Sequence, residues 1–159
     1  ADARSLRIAN ALVGNPPNAP GLEMTLKGPE LVFERAAVVA LAGADLGARL
    51  NGLPMPMWRP VAVAPSAVLS FAGPAGPGAR AYLAVAGGIA VPKVLGGFGT
   101  YVRGRFGGLG GRPLAAGDRL SVGESAEEAA AFARRAGLFV VMDMCIKVAD
   151  SVLLGPAKG

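Results

Sequence analysis

From Gly21 to Leu120 the chain is a succession of short apolar runs, each cut off within a few residues by glycine or proline. A stable helix needs roughly ten uninterrupted residues and a strand only about five, so breakers at this spacing favour strands. The period of the runs agrees. In LEMTL, Leu22, Met24 and Leu26 alternate with Glu23 and Thr25, as a strand with one buried face requires. ELVFER repeats the pattern with Leu31 and Phe33, and AVVALAGA is an unbroken apolar run of strand length. ARLNGLPM holds Asn51-Gly52, a strong hairpin signal, and RPVAVAP, AVLSFAG and ARAYLAVAGG continue the series. Short strands joined by tight turns predict a mainly β antiparallel barrel or sandwich rather than alternating β–α units.

The two ends read differently. ADARSLRIANALVGN predicts a short helix, capped by Asp2, stopped by Gly14, with Leu6, Ala9, Leu12 and Val13 on one face. NPPNAPG then forbids regular structure. Beyond residue 121, Ser125 and Glu128 have the spacing of a capping box, and Ala129 to Ala136 supply a helix that Gly137 ends. LFVVMDMCIKV follows as a buried strand. One helix and one strand cannot hold a core alone, so residues 121–159 are expected to dock on the β unit formed by 1–120, to join another chain, or to stay loosely ordered.

The most unusual stretch is VLGGFGTYVRGRFGGLGGRPLAAGDRL, residues 94–120, with nine glycines and four arginines in 27 residues. As a dinucleotide loop it fails, because Gly97-Phe98-Gly99 is followed by Val102 where the third glycine belongs, and no helix opens after it. An RNA-binding arginine–glycine arm needs a repetitive polar setting, whereas AYLAVAGGIAV and LAAGDRL flank this one. What remains is a set of turns and bulges, with residues 112–120 a turn entering a strand.

Composition narrows the chemistry. Hydrophobic residues make up 52% and charged residues 17%, which excludes disorder. The net charge is +5, carried as +6 up to residue 120 and −1 beyond, and no two-residue pair of basic side chains is extended to a third. That spread gives no reason to expect nucleic acid as a partner. Histidine is absent, removing the commonest general base and metal ligand, and Cys145 is the only cysteine. No metal site, no disulfide and no membrane span is expected, and a cytoplasmic location fits.

Several blocks occur in register: AN-x-LVGN-P from Ala9 to Pro16, GLE at Gly21, GPEL at Gly28, GAD at Gly43 and RAYLAVAGGI from Arg80 to Ile89. TY-x-RG from Thr100, FGG at Phe106, GR-x-L at Gly111 and GD-x-L at Gly117 continue the order. Over residues 1–120 this resembles the biotin-dependent carboxyltransferase family, also known as allophanate hydrolase subunit 2. That family includes the C subunit of 5-oxoprolinase, the antagonist of the histidine-kinase inhibitor, and a domain of urea carboxylase. The resemblance implies a partial cyclophilin-like β-barrel and work shared with a companion subunit. It implies hydrolysis of 5-oxoproline with ATP, or movement of a carboxyl group from carboxybiotin to a urea-like acceptor, with no covalently bound cofactor on this chain. Relatives commonly carry a GSRST-like loop where this chain has Gly96 to Thr100, so only the first glycine and the threonine are kept. Half a barrel is expected to expose strand edges and to self-associate or pair through them. Residues 126–148 are also similar to the end of small CoA-binding Rossmann-type proteins, without their glycine-rich first turn, which implies a join near Val122 and no CoA binding.

Without histidine, acid–base work falls to Asp, Glu, Lys or Tyr. The family blocks nominate Glu23 and Asp45 as catalytic candidates; the alternatives are a solvent-facing strand residue and a turn-stabilising aspartate. Substrate-binding candidates are Asn15, Gly87, Gly88, Thr100 and Arg103. Asn15 can instead end the helix, Gly87 and Gly88 can form a bulge, and Arg103 can be a surface arginine. Tyr82 and Trp58 read as core or rim, and Cys145 as a strand residue rather than a nucleophile. The expected function is that of a subunit or fragment of a 5-oxoprolinase or carboxyltransferase-type enzyme that is inactive alone; the alternatives are a regulatory binding protein on the same barrel and an inactive truncated product.

Overall fold

The computed structural model describes residues 2–122 and 145–148. Helix α1 (Ala3–Leu12) is followed by β1 (Leu22–Thr25), β2 (Leu31–Phe33), β3 (Ala37–Gly43), β4 (Ala48–Leu50) and β5 (Leu53–Pro54). Then come β6 (Val61–Val63), β7 (Val68–Phe71), β8 (Arg80–Val85), β9 (Arg119–Ser121) and β10 (Cys145–Val148). The strands make two antiparallel sheets, ordered β1-β8-β3-β6 and β5-β4-β7-β2-β10-β9. The mainly β architecture is the expected one, and among the described residues it is built as two sheets that do not close into a barrel.

Strand β3 shows why its run lacks alternation: both of its faces are covered. Ala37, Val39 and Leu41 point into the core between the sheets, with Leu83 and Val85 of β8 and Leu31, Phe33 and Leu69 opposite. Val38, Ala40 and Ala42 turn the other way, joined by Ala84 and Ala86, and receive Ala9 of α1 and Val13, which caps its end. Four of those five sheet positions are alanine, so the helix lies close against the sheet. Strand β1, at the edge, keeps the half-buried pattern, with Met24 buried and Glu23 and Thr25 exposed.

The helix ends as its sequence requires. The Asp2 side chain accepts from the Arg4 and Ser5 amides and from the Ser5 hydroxyl, and these bonds hold its carboxyl below the usual range. Gly14 takes the left-handed conformation at φ 77°. Asn15 is buried beyond it and ties three segments together. Its Nδ2 donates to the Val85 carbonyl at 2.8 Å and to Asn10 Oδ1 at 3.1 Å, and its Oδ1 accepts from the Gly87 amide at 2.8 Å.

The glycine-rich stretch is built of turns. Val94 and Gly97 exchange backbone bonds around Leu95 and Gly96, and Tyr101 and Phe106 do so around a longer loop. A Cβ on Gly107 would overlap the Gly99 carbonyl oxygen, and one on Gly111 the backbone of Arg105, so these two positions require glycine. Of the segment beyond residue 121, β10 pairs antiparallel with β2 (Ile146 opposite Phe33) and with β9 (Ile146 opposite Leu120). The helix expected from Ser125 to Ala136 lies outside the described residues.

The alanine face under α1 has no room for a larger side chain. Ala84→Leu should destabilise the fold by about 1–3 kcal/mol, the usual cost of overpacking, seen as a lower urea midpoint with an unchanged slope.

Candidate functional site

At the open edge of β1, between the start of α1 and the loops of residues 89–114, lies a cleft of about 870 Å³. Its walls are mostly apolar, from Leu6, Ile89, Val91, Phe98, Leu109 and Leu114. The ionisable side chains that line it are Glu23, Tyr82, Lys93 and Arg112, with Thr25 and Thr100 adding hydroxyls.

Glu23 and Tyr82 are direct partners in the β1–β8 register, which puts both side chains on one face of the sheet. The Tyr82 ring is only 2% exposed, and its hydroxyl oxygen accepts the Asp2 amide at 2.5 Å. Helix α1 is thereby anchored to the cleft through its cap. Burial pushes the Tyr82 hydroxyl above the ordinary tyrosine range; the Asp2 amide opposes that, and the Glu23 carboxylate adds to it. Glu23 Oε1 stands 3.8 Å from Arg80 Nε in a half-exposed ion pair.

On the opposite wall Arg112 and Asp118 form a bidentate pair, both contacts 2.7 Å, across the turn that leads into β9. The Ala115 amide donates to the same carboxylate at 2.7 Å. The Arg112 guanidinium beside it, followed by that amide, holds the Asp118 carboxyl down to about 2. Arg112 therefore carries its own counter-ion, and its charge is spent on closing a turn. Lys93 differs: its ammonium lies 6.0 Å from the centre of the Phe98 ring.

Of the residues expected at a site, Glu23 and Thr100 come together in this cleft. Asp45 lies in the turn after β3, where its Oδ1 accepts the Gly47 amide at 2.8 Å. Arg103 is exposed in the second glycine-rich hairpin, outside the lining. Asn15 and Gly87 bond to each other, and Gly88 holds a left-handed backbone at φ 70°, where an added Cβ would meet Ala19 and Pro20 at ordinary van der Waals distance. Lys93, Arg112 and the Tyr82 hydroxyl were not picked out by sequence reasoning. Arg112 and Asp118 stand six apart around Pro113 and Gly117, a spacing suited to a clamp, whereas Lys93 sits among apolar residues with no periodic signal. Among the described residues no three Cys, Asp or Glu side chains come together as metal ligands, and no helix is long and apolar enough to cross a membrane.

The family model for the carboxyltransferase domain, subdomain A and B, matches residues 1–158. The chain belongs to the carboxyltransferase domain family. It is similar to the C subunit of the 5-oxoprolinase of Escherichia coli, 46% identical over 125 residues, which are 78% of this chain and 40% of that protein. It is also similar to the urea amidolyase of Saccharomyces cerevisiae, 44% identical over 119 residues, 75% of this chain and 6% of the other. Among solved structures, the K. lactis urea amidolyase superposes with a TM-score of 0.74 at 39% identity, covering 80% of this chain and 8% of that one. This carboxyltransferase-type chain thus spans between about a twentieth and two-fifths of the length of these relatives, which are larger enzymes or their subunits.

Two titrations check the electrostatics. Glu23→Gln removes a charge that raises Tyr82, so the Tyr82 midpoint should fall while burial keeps it above the ordinary value. Ultraviolet absorbance reads this cleanly in a Tyr101→Phe background, since the chain has two tyrosines. Asp118 is lowered from 3.8 to about 2, so the stability it contributes is complete above 3.8 and lost as pH falls toward 2. Asp118→Asn should flatten the fall of Tm across that window.

Proposed function

We propose that this chain is the ligand-binding part of a carboxyltransferase-type enzyme that acts, with a companion subunit in the cytoplasm, on a small amide or urea-like substrate. The observation that carries this reading is the cleft at the β1 edge, where Glu23 and the buried Tyr82 stand side by side in an apolar setting. A carboxylate there accepts the N–H of an amide, lactam or ureido group, and the apolar walls offer a surface for the rest of the ring. Glu23 is then the group that takes or orients the proton on the substrate nitrogen, and Tyr82 supports the wall from which it projects.

Of the two cofactors that family membership raises, a nucleoside triphosphate does not fit this cleft. Arg112 is already paired with Asp118 and Glu23 repels phosphate, which leaves Lys93 alone among the lining cations without a carboxylate partner among the described residues, too little charge for a triphosphate; the glycine-rich stretch runs into β9 rather than into a helix N-terminus. ATP chemistry therefore belongs to the companion. The apolar face of the bicyclic ring of carboxybiotin suits the wall of Ile89, Val91 and Leu114, and when bound its N-carboxylate would be the carboxyl group supplied for transfer. The 5-oxoprolinase C subunit and the urea amidolyase are matched at similar identity, 46% and 44%, so hydrolysis of 5-oxoproline and carboxyl transfer to urea are the two activities to be tested.

The chain mixed with a 5-oxoprolinase companion should release glutamate from 5-oxoproline when ATP is present, and neither component should do so alone. Glu23→Gln should cut that turnover by about a hundredfold, the ordinary range for loss of a general base. Turnover with carboxybiotin and urea in its place would assign the transfer branch. Unchanged turnover in the variant would remove Glu23 from the chemistry.

A further inference from the structure

The charges lining the cleft are unequally committed. Glu23 faces Arg80, and Arg112 is held bidentately by Asp118. Lys93 has no carboxylate within ion-pair distance among the described residues. It follows Pro92, which fixes one backbone angle, and its ammonium stands over the Phe98 ring. Lys93 is itself exposed at the cleft, and the neighbouring loop is open: a Cβ on Gly96, Gly97 or Gly99 would meet nothing within 4 Å. An ammonium beside an aromatic face and an open apolar cleft, with its charge unneutralised, is a receptor for one anionic group.

We infer that Lys93 is a specificity-determining residue of the cleft, which selects ligands carrying a carboxylate next to a neutral amide or ureido ring. The polarity of the cleft sets the orientation. Glu23 repels the anionic end and accepts an N–H, and Lys93 takes the carboxylate, so a ligand with both groups is aligned and one with only the ring is not. The inference rests on the cleft being the ligand site proposed above, and it adds a residue and a selection rule to that reading.

The test compares 5-oxoproline with 2-pyrrolidinone, the same lactam ring without the carboxylate, by ligand-observed NMR titration of the full chain. Wild type should bind 5-oxoproline about fivefold more tightly, the upper range for a solvent-accessible ion pair, and the preference should shrink at high salt. Lys93→Gln should abolish the preference and leave 2-pyrrolidinone binding unchanged, and Lys93→Arg should restore it in part. A preference that survives in Lys93→Gln, or equal binding of both lactams by wild type, overturns the role of Lys93 and leaves the cleft as ligand site. Binding of neither lactam by wild type overturns both.

Discussion

The β3–β8 pair is the constraint on which the remainder depends. These strands share five register pairs, from Val39 opposite Val85 to Gly43 opposite Ala81, and neither exposes a face to water. One side supplies half of the inter-sheet core, and the other is the alanine floor on which α1 rests. The helix in turn delivers Asp2 to the Tyr82 hydroxyl, and Asn15 pins the end of the helix back onto β8. The cleft is thus tied to the core through β8, which supplies Tyr82 to its lining. Burial of this kind, at about 25 cal/mol per Å² of apolar surface, is the main stabilising term available to so weakly charged a chain.

The cleft separates structural charge from charge that a ligand can use. Arg112 and Asp118 close the turn into β9, with a third bond from the Ala115 amide. Arg80 lies beside Glu23 only at 3.8 Å and half exposed, so the Glu23 carboxylate keeps acceptor capacity. Tyr82 contributes its ring to the wall and its oxygen to the helix cap.

Much of the fold was readable because its elements obey local rules. Alternation marked β1 and β2, Asn51-Gly52 marked the β4–β5 hairpin, and Asp2 with Gly14 marked the limits of α1. The unbroken run of β3 marked a buried strand and ARAYLAVAGG marked β8 as a strand, but that a helix covers their second face depends on packing between distant segments. The site was less legible for a similar reason. Glu23 could be named from its block and alternating position, yet its neighbour Tyr82 is 59 positions away and is set by strand register. Lys93 carries no periodic or motif signal; its significance comes from which other charges are already paired. Asp45 shows the reverse case, a residue in a family block whose side chain bonds the Gly47 amide in a turn.

The placement of β10 has a consequence for how the molecule is made. It lies between β2 and β9, so Phe33 and Leu120 are joined across the sheet only through Ile146. On a ribosome, the β1-β8-β3-β6 sheet has all its strands once β8 has emerged, whereas the larger sheet has a gap until the last of β10 is synthesised. Assembly must therefore finish out of order, with a late strand entering between two earlier ones. During that interval the backbone edges of β2 and β9 stand open to any extended segment nearby, and a chaperone or a neighbouring nascent chain competes for them with the protein's own β10.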